Sequence, residues 1–292
     1  MNGTTGQTTR RRLWRSSRRG FTAVDLLVTL FVVGVLMAIM LPAMRGVHEA
    51  SKRLVCSSNL RQTGLAMVLY ADDHNGHLPY TQFVDGPAID KNPLDTVIVR
   101  AQRAAHGIFP DVLPDQTDWD GLGLLVMHNY LSTGEVLYCP AHDGPHPFER
   151  YADAYLDRYA PGAGEIVGNY QYRGAGPNRE RRLAQIDPMA SLASDGFRTL
   201  DELNHRDGFN VLNAALAVRW TLQSPTELAT IAESVASEVS TGGGGNPTLS
   251  DPWKTLDREG EREREEADAA RDRVDGSIST SVTLGGFGSE GR

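Results

Sequence analysis

The chain has 292 residues, 40% of them hydrophobic and 23% charged, with a net charge of −8. That length holds one or two domains of ordinary globular composition with polar sequence attached. The acidic balance excludes a uniformly basic nucleic-acid binder, two cysteines exclude a disulfide-dense scaffold or a Cys-rich metal module, and a negative mean hydropathy excludes a multi-span membrane protein.

The first twenty residues contain no acid and six arginines, Arg10, Arg11, Arg12, Arg15, Arg18 and Arg19; without them 23 basic residues face 37 acidic ones, a net of −14. From Phe21 to Leu41 the only charge is Asp25, and thirteen of the 21 residues are Leu, Ile, Val or Phe. These contribute roughly −4 to −8 kcal/mol toward insertion. A mid-membrane Asp would cost about 3 kcal/mol and less near an end, so insertion is favoured. As a helix the run is roughly 31 Å long, one hydrocarbon core. The arginines on one flank predict a single-pass protein of the cytoplasmic (inner) membrane, with residues 1–20 in the cytoplasm and the remainder exported.

Other readings of this region are a cleaved secretory signal, a plain anchor and a twin-arginine export signal carried by Thr9-Arg10-Arg11-Arg12-Leu13. Three features argue for something narrower. The apolar run begins abruptly after Arg18-Arg19-Gly20, a carboxylate lies five residues into it, and no proline interrupts the sequence between Pro42 and Pro79. Val47, Ala50, Leu54, Leu65, Val68 and Leu69 recur at helical spacing. The span is therefore expected to continue as an amphipathic helix to about residue 72, with this stripe covered by a globular domain.

The stretch Arg19-Gly20-Phe21-Thr22-Ala23-Val24-Asp25-Leu26-Leu27-Val28, with Gly34 and Pro42 beyond it, resembles the class III signal of type IV prepilins and type II secretion pseudopilins. The resemblance implies cleavage between Gly20 and Phe21 by a prepilin peptidase and N-methylation of Phe21. It also implies an assembly role for residue 25, where the family prefers Glu and pairs it with a neighbouring subunit's terminal amine. The run Cys56-Ser57-Ser58-Asn59-Leu60-Arg61-Gln62-Thr63-Gly64-Leu65-Ala66, followed by Asn75-Gly76 and Pro79, resembles a pilin-like group abundant in planctomycetes. That group often ends in His-x9-Asp-Gly. Here His205 and the strand-like residues after it are in register, Ala215-Leu216 replaces the Asp-Gly turn, and Asp195-Gly196 matches upstream. The implied fold is α+β, a long N-terminal helix packed on a small antiparallel sheet. The implied partners are the peptidase, other pilin or pseudopilin subunits and the membrane, with no nucleic acid bound.

The divisions that follow are a leader at 1–20, an assembly helix at 21–42, its amphipathic extension and turn at 43–80, an extracytoplasmic α+β domain at 81–240 and a flexible charged tail at 241–292. Residues 81–120 read as a long loop with helical turns, and Leu122–Tyr130 as a short helix. Strand-like runs are Glu135–Cys139, Ile166–Tyr172, Ser191–Asp195, Phe209–Asn213 and Leu216–Trp220. Thr241-Gly242-Gly243-Gly244-Gly245 reads as a flexible break, and the densely charged run Asp257–Asp275 as a solvated helix or disordered tail with little to bury.

Chemistry-bearing residues are few. Cys56 and Cys139 form either a disulfide closing a long loop or two separate thiols. Cys139-x2-His142-x3-His146 has ligand-like residue types, but its prolines and glycines read as an irregular exposed loop, and no metal or cofactor is expected. Asp72-Asp73-His74-Asn75-Gly76 reads as a helix end and turn more than a calcium loop. His205 near Asp207 is a turn contact more than an acid–base pair. Nucleophile-elbow, phosphate-loop and His-Glu-x-x-His motifs are missing, so the expectation is a structural protein and not an enzyme.

Overall fold

A computed structural model describes residues 22–85, 93–100, 118–157, 164–199, 202–205, 207–221 and 251–283. The leader, the Gly20–Phe21 bond with its methylation site, the twin-arginine stretch and the glycine break at 241–245 lie outside these residues. The chain divides into two compact units, with the boundary between His48 and Glu49. Helix α1 (Ala23–Asp73) contributes to both.

In the first unit, Ala23–Leu41 is long and apolar enough to cross a membrane. Fourteen large apolar side chains between Val24 and Leu41 are each 44–69% exposed. Burying such a side chain is worth about 1.5–3 kcal/mol, so leaving the set in water forfeits on the order of 20 kcal/mol. By length and composition this helix is able to cross a membrane.

The second unit is a mixed α/β body. Its remaining helices are α2 (Gln82–Asp85), α3 (Gly123–Met127), α4 (Ala152–Leu156) and α5 (Asp251–Thr283). Strands β1 (Ile98–Arg100) and β2 (Ile166–Val167) form a two-stranded antiparallel sheet. Strands β3 (Tyr170–Tyr172), β4 (Ser191–Asp195), β5 (Phe209–Asn213) and β6 (Val218–Thr221) form a four-stranded antiparallel sheet in sequential order.

Strand alternation explains how this sheet is covered on both sides. On β5, Leu212 faces α1, where its methyl carbons lie 3.0 and 3.1 Å from the position a β-carbon would take on Gly64. Glycine at 64 thus sets the close approach of helix to sheet. Phe209 and Val211 point the other way and pack with Phe197, Trp253 and Leu256. Every residue of β5 is consequently buried. The β5–β6 turn survives without Asp-Gly: Leu216 takes φ +64°, and the Asn213 carboxamide oxygen accepts from the Ala217 amide at 2.9 Å.

Four expectations are corrected. Of the expected stripe, Val47, Leu54, Leu65 and Leu69 are 70%, 72%, 52% and 56% exposed, Ala50 is exposed and Val68 is half-buried, so the stripe is not the covered face. At 100° per residue, the face that packs on the body is the opposite one, carrying Cys56, Leu60, Thr63, Met67 and Tyr70. The helix thus has two apolar faces, and only one is covered among the described residues. Glu135–Cys139 is no strand: Gly134–Leu137 forms a 3-10 turn capped by Thr133, and Gly134 lies where a β-carbon would strike the Tyr155 ring. Ile166–Tyr172 is split at Gly168-Asn169 into strands of two different sheets. The region 241–292 read as a flexible tail contains α5, whose Trp253, Leu256 and Gly260 are buried at i, i+3, i+7 spacing, while Asp257–Asp275 within it takes the helical alternative. Asp257 of α5 accepts from the Arg173 guanidinium and the Ser191 amide, both at 2.8 Å. Only beyond that first stretch is the helix solvated, with the exposed i, i+4 pairs Arg262–Glu266 and Arg264–Asp268.

Candidate functional site

Asp25 lies at the third position of α1, and Thr22 precedes the helix. The Asp25 carboxylate accepts from the Thr22 amide at 3.0 Å and the Thr22 hydroxyl at 2.8 Å, while the Asp25 amide donates to the Thr22 hydroxyl oxygen at 3.2 Å. This is a reciprocal cap that satisfies otherwise orphaned amides and places negative charge at the helix start. The Thr22-x-x-Asp25 spacing is the motif that carries this cap, and it supplies a local reason for the carboxylate beside any role in assembly. Both side chains are exposed at the head of the apolar helix.

A second constellation is buried in the body. Cys56 of α1 is joined to Cys139 by a disulfide spanning 83 residues, with their Cα atoms 5.1 Å apart. Against it lies His205, 2% exposed, whose Nε2 is 3.5 Å from the Cys139 sulfur and 3.8 Å from Oδ2 of Asp195. The other imidazole nitrogen, Nδ1, is 3.1 Å from Oε1 of Glu49 on α1. A carboxylate only accepts, so Nδ1 carries the proton. Asp195, at the end of β4, is fully buried. Its Oδ1 accepts from the Asn204 carboxamide at 3.1 Å, and its Oδ2 from the Asn210 amide and side chain at 2.6 and 2.9 Å. Burial pushes this carboxyl above its ordinary range, opposed by electrostatic attraction toward the neighbouring His205 and by the Asn210 and Asn204 hydrogen bonds.

Among the described residues, Cys56, Cys139, Asp195 and His205 each place one donor atom within 4.8 Å of the others. Sequence reasoning singled out the two cysteines and His205 but assigned His205 to Asp207, which is exposed. It missed Glu49, Asn204 and Asn210, and it gave Asp195 no role. An acid closing the otherwise uncharged run Ser191–Asp195 was the available clue.

The ligand-like set Cys139, His142 and His146 is not brought together. His142 Nδ1 donates to Asn204 Oδ1 at 3.1 Å, an orientation imposed because the Asn204 amide nitrogen donates to Asp195 and to the Asn169 carbonyl. His146 Nδ1 instead lies 2.6 Å from the Tyr151 hydroxyl, and its Nε2 is 3.4 Å from Glu202. Burial depresses both imidazoles below their ordinary 6.5. Groups neutral when folded but protonated when unfolded stabilise the fold fully above that value and lose the contribution as pH falls through the folded range. Melting temperature is therefore expected to drop as pH is lowered below about 6.5, more steeply in the wild type than in a His142→Gln, His146→Gln variant. Thermal denaturation between pH 7.5 and 4.5 measures this; parallel profiles would contradict it.

His142 also lines a cavity of about 380 Å3 with Val55, Tyr138, Pro140, Phe148 and Asn169. The His142 Nε2 and the Asn169 Oδ1 are buried without hydrogen-bond partners among the described residues.

No known protein family, characterised protein or solved structure matches the chain.

Proposed function

We propose that this chain is a structural subunit of the type IV pilin-like or type II secretion pseudopilin kind. In this reading a prepilin peptidase removes residues 1–20, Phe21 becomes the methylated N-terminus, and the subunit rests as a single span in the inner membrane with its α+β body outside. It then leaves lipid to pack its helix against those of other subunits. The observation that carries the reading is α1 itself. Its first part is apolar all round, and its later part keeps Leu54, Leu65 and Leu69 exposed on one face after the opposite face is used by the body. A plain anchor has no need of that second stripe. Lipid and a helix bundle are equally apolar, so specific association within the span must come from packing and from polar pairs such as Asp25 with a neighbour's amine.

The competing reading is an anchored exported binding protein that never polymerises, and the cavity beside His142 is what favours it. The two differ in what the stripe does. A Leu54→Glu, Leu65→Glu variant alters only exposed positions, so its melting temperature is expected to remain that of the wild type. Its recovery in sheared fibres, relative to membranes, is expected to fall roughly tenfold or more, the loss of one apolar side-chain burial per contact. Unchanged partitioning would favour the anchored binding protein.

A further inference from the structure

We propose that Cys56, Cys139, His205 and Asp195 form a redox-gated site for a divalent transition metal of the Zn2+ class, which is closed while the disulfide is intact and binding-competent when it is reduced.

The donor set is two sulfurs, one imidazole nitrogen and one carboxylate oxygen, a chemistry that suits tetrahedral Zn2+. A tetrahedron with bonds of about 2.0–2.3 Å has edges of about 3.3–3.8 Å. All four donor atoms lie within 4.8 Å of one another, and two thiolates freed of their mutual bond move apart toward such an edge. Nε2 of His205 already faces the Cys139 sulfur and Asp195 Oδ2 at 3.5 and 3.8 Å.

The surroundings have the arrangement that orients metal ligands. Glu49 holds the far nitrogen of His205 at 3.1 Å, leaving Nε2 directed into the cluster. Asn204 and Asn210 hold the Asp195 carboxylate in place. Two thiolates and a carboxylate around a dication leave one negative charge. Arg53 lies nearby, 3.8 Å above the Trp220 ring, which itself meets His205 edge-on at 5.3 Å.

The chemistry balances with a dithiol as reductant. The dithiol gives two electrons and two protons to the disulfide and closes to its own disulfide, leaving two protein thiols. The metal ion then replaces the two thiol protons, which pass to solvent. In the reverse direction a small disulfide oxidant takes two electrons from the Cys56 and Cys139 thiolates and two protons from solvent, becoming its dithiol; the protein disulfide re-forms and the metal is released, since a disulfide offers no thiolate.

The test uses the full chain in detergent micelles, reduced anaerobically with a trialkylphosphine, which takes its oxygen from water and leaves as the phosphine oxide. Co2+ is the probe. The expected result is one bound Co2+ with tetrahedral ligand-field bands and a thiolate-to-cobalt charge-transfer band, displaced by Zn2+ and absent from the oxidised chain. Glu49→Gln, a half-exposed orienting residue, is expected to weaken binding about tenfold. His205→Ala is expected to weaken it about a hundredfold or more, with the charge-transfer band altered. A reduced chain without the charge-transfer band overturns the proposal whether or not it stays folded. So does a band that persists in His205→Ala but disappears in His142→Gln, because that assigns the metal to the local Cys139-x2-His142 sequence.

Discussion

Asp25→Ala and Asp25→Asn are both expected to insert into the membrane as well as the wild type, and both are expected to enter fibres about tenfold less. Insertion is maintained because the substitutions remove the only charge in an otherwise apolar span. The fall in assembly follows from the loss of an ionic partner for a neighbour's terminal amine, since a polar pair among membrane helices is worth about 1–2 kcal/mol. The pair of variants separates this from the local cap. Asn keeps an oxygen that can accept from the Thr22 amide and hydroxyl; Ala keeps none. If Asp25 serves only as the cap, Asn will assemble normally and Ala alone will fail. Quantifying each variant in membrane and sheared-fibre fractions distinguishes the outcomes.

The second large effect is on stability. Replacing both Cys56 and Cys139 by Ala is expected to lower the stability of the body by about 4.5 kcal/mol in the chain-entropy account, because the bridge closes a loop of 83 residues. For a body of this size that is on the order of 10–15 °C in melting temperature. The link ties α1 to the segment after the Gly134–Leu137 turn, and the same region is held by the Asn59 side chain donating to the Tyr138 carbonyl at 3.0 Å. The loss should therefore appear as a lower midpoint with local structure retained, measured by circular dichroism on heating. A midpoint within 2 °C of wild type, about one-half kcal/mol for a body of this size, would show that packing alone holds this junction.

The parts of the fold legible in the sequence are those governed by local pattern. The unbroken run of Ala23–Leu41, the turn at Asn75-Gly76 with both residues at positive φ, and the strands Ser191–Asp195 and Phe209–Asn213 each follow from period or from glycine chemistry. What periodicity could not decide was direction. Residues 47–71 carry two apolar faces, and the stripe rich in leucine looked like the core face, whereas the body uses the face with cysteine, threonine, glycine and tyrosine. The small Gly64 permits close approach of the sheet there. Glu135–Cys139 failed as a strand for a similar reason: its hydrophobicity reflects burial under Tyr155, while Gly134 and the Thr133 cap make it curl. The start of α5 was hidden by the charge that follows it, because a helix needs only Trp253, Leu256 and Gly260 to dock.

The buried cluster was legible in its residue types and not in its pairings. Glu49 and His205 are 156 residues apart, and Asn204 and Asn210 act through Asp195. Such long-range polar matching arises from the tertiary fold, where an unsatisfied buried carboxylate would be costly. No local spacing announces it.

N-terminal sequencing with mass analysis of the chain recovered from cells tests the central claim most directly. The account predicts a first residue of Phe21, carrying one added methyl group on its amine, with Ala23–Leu41 retained. An intact Met1 would contradict it, as would a start near Ala38–Ala43, which removes most of the apolar run.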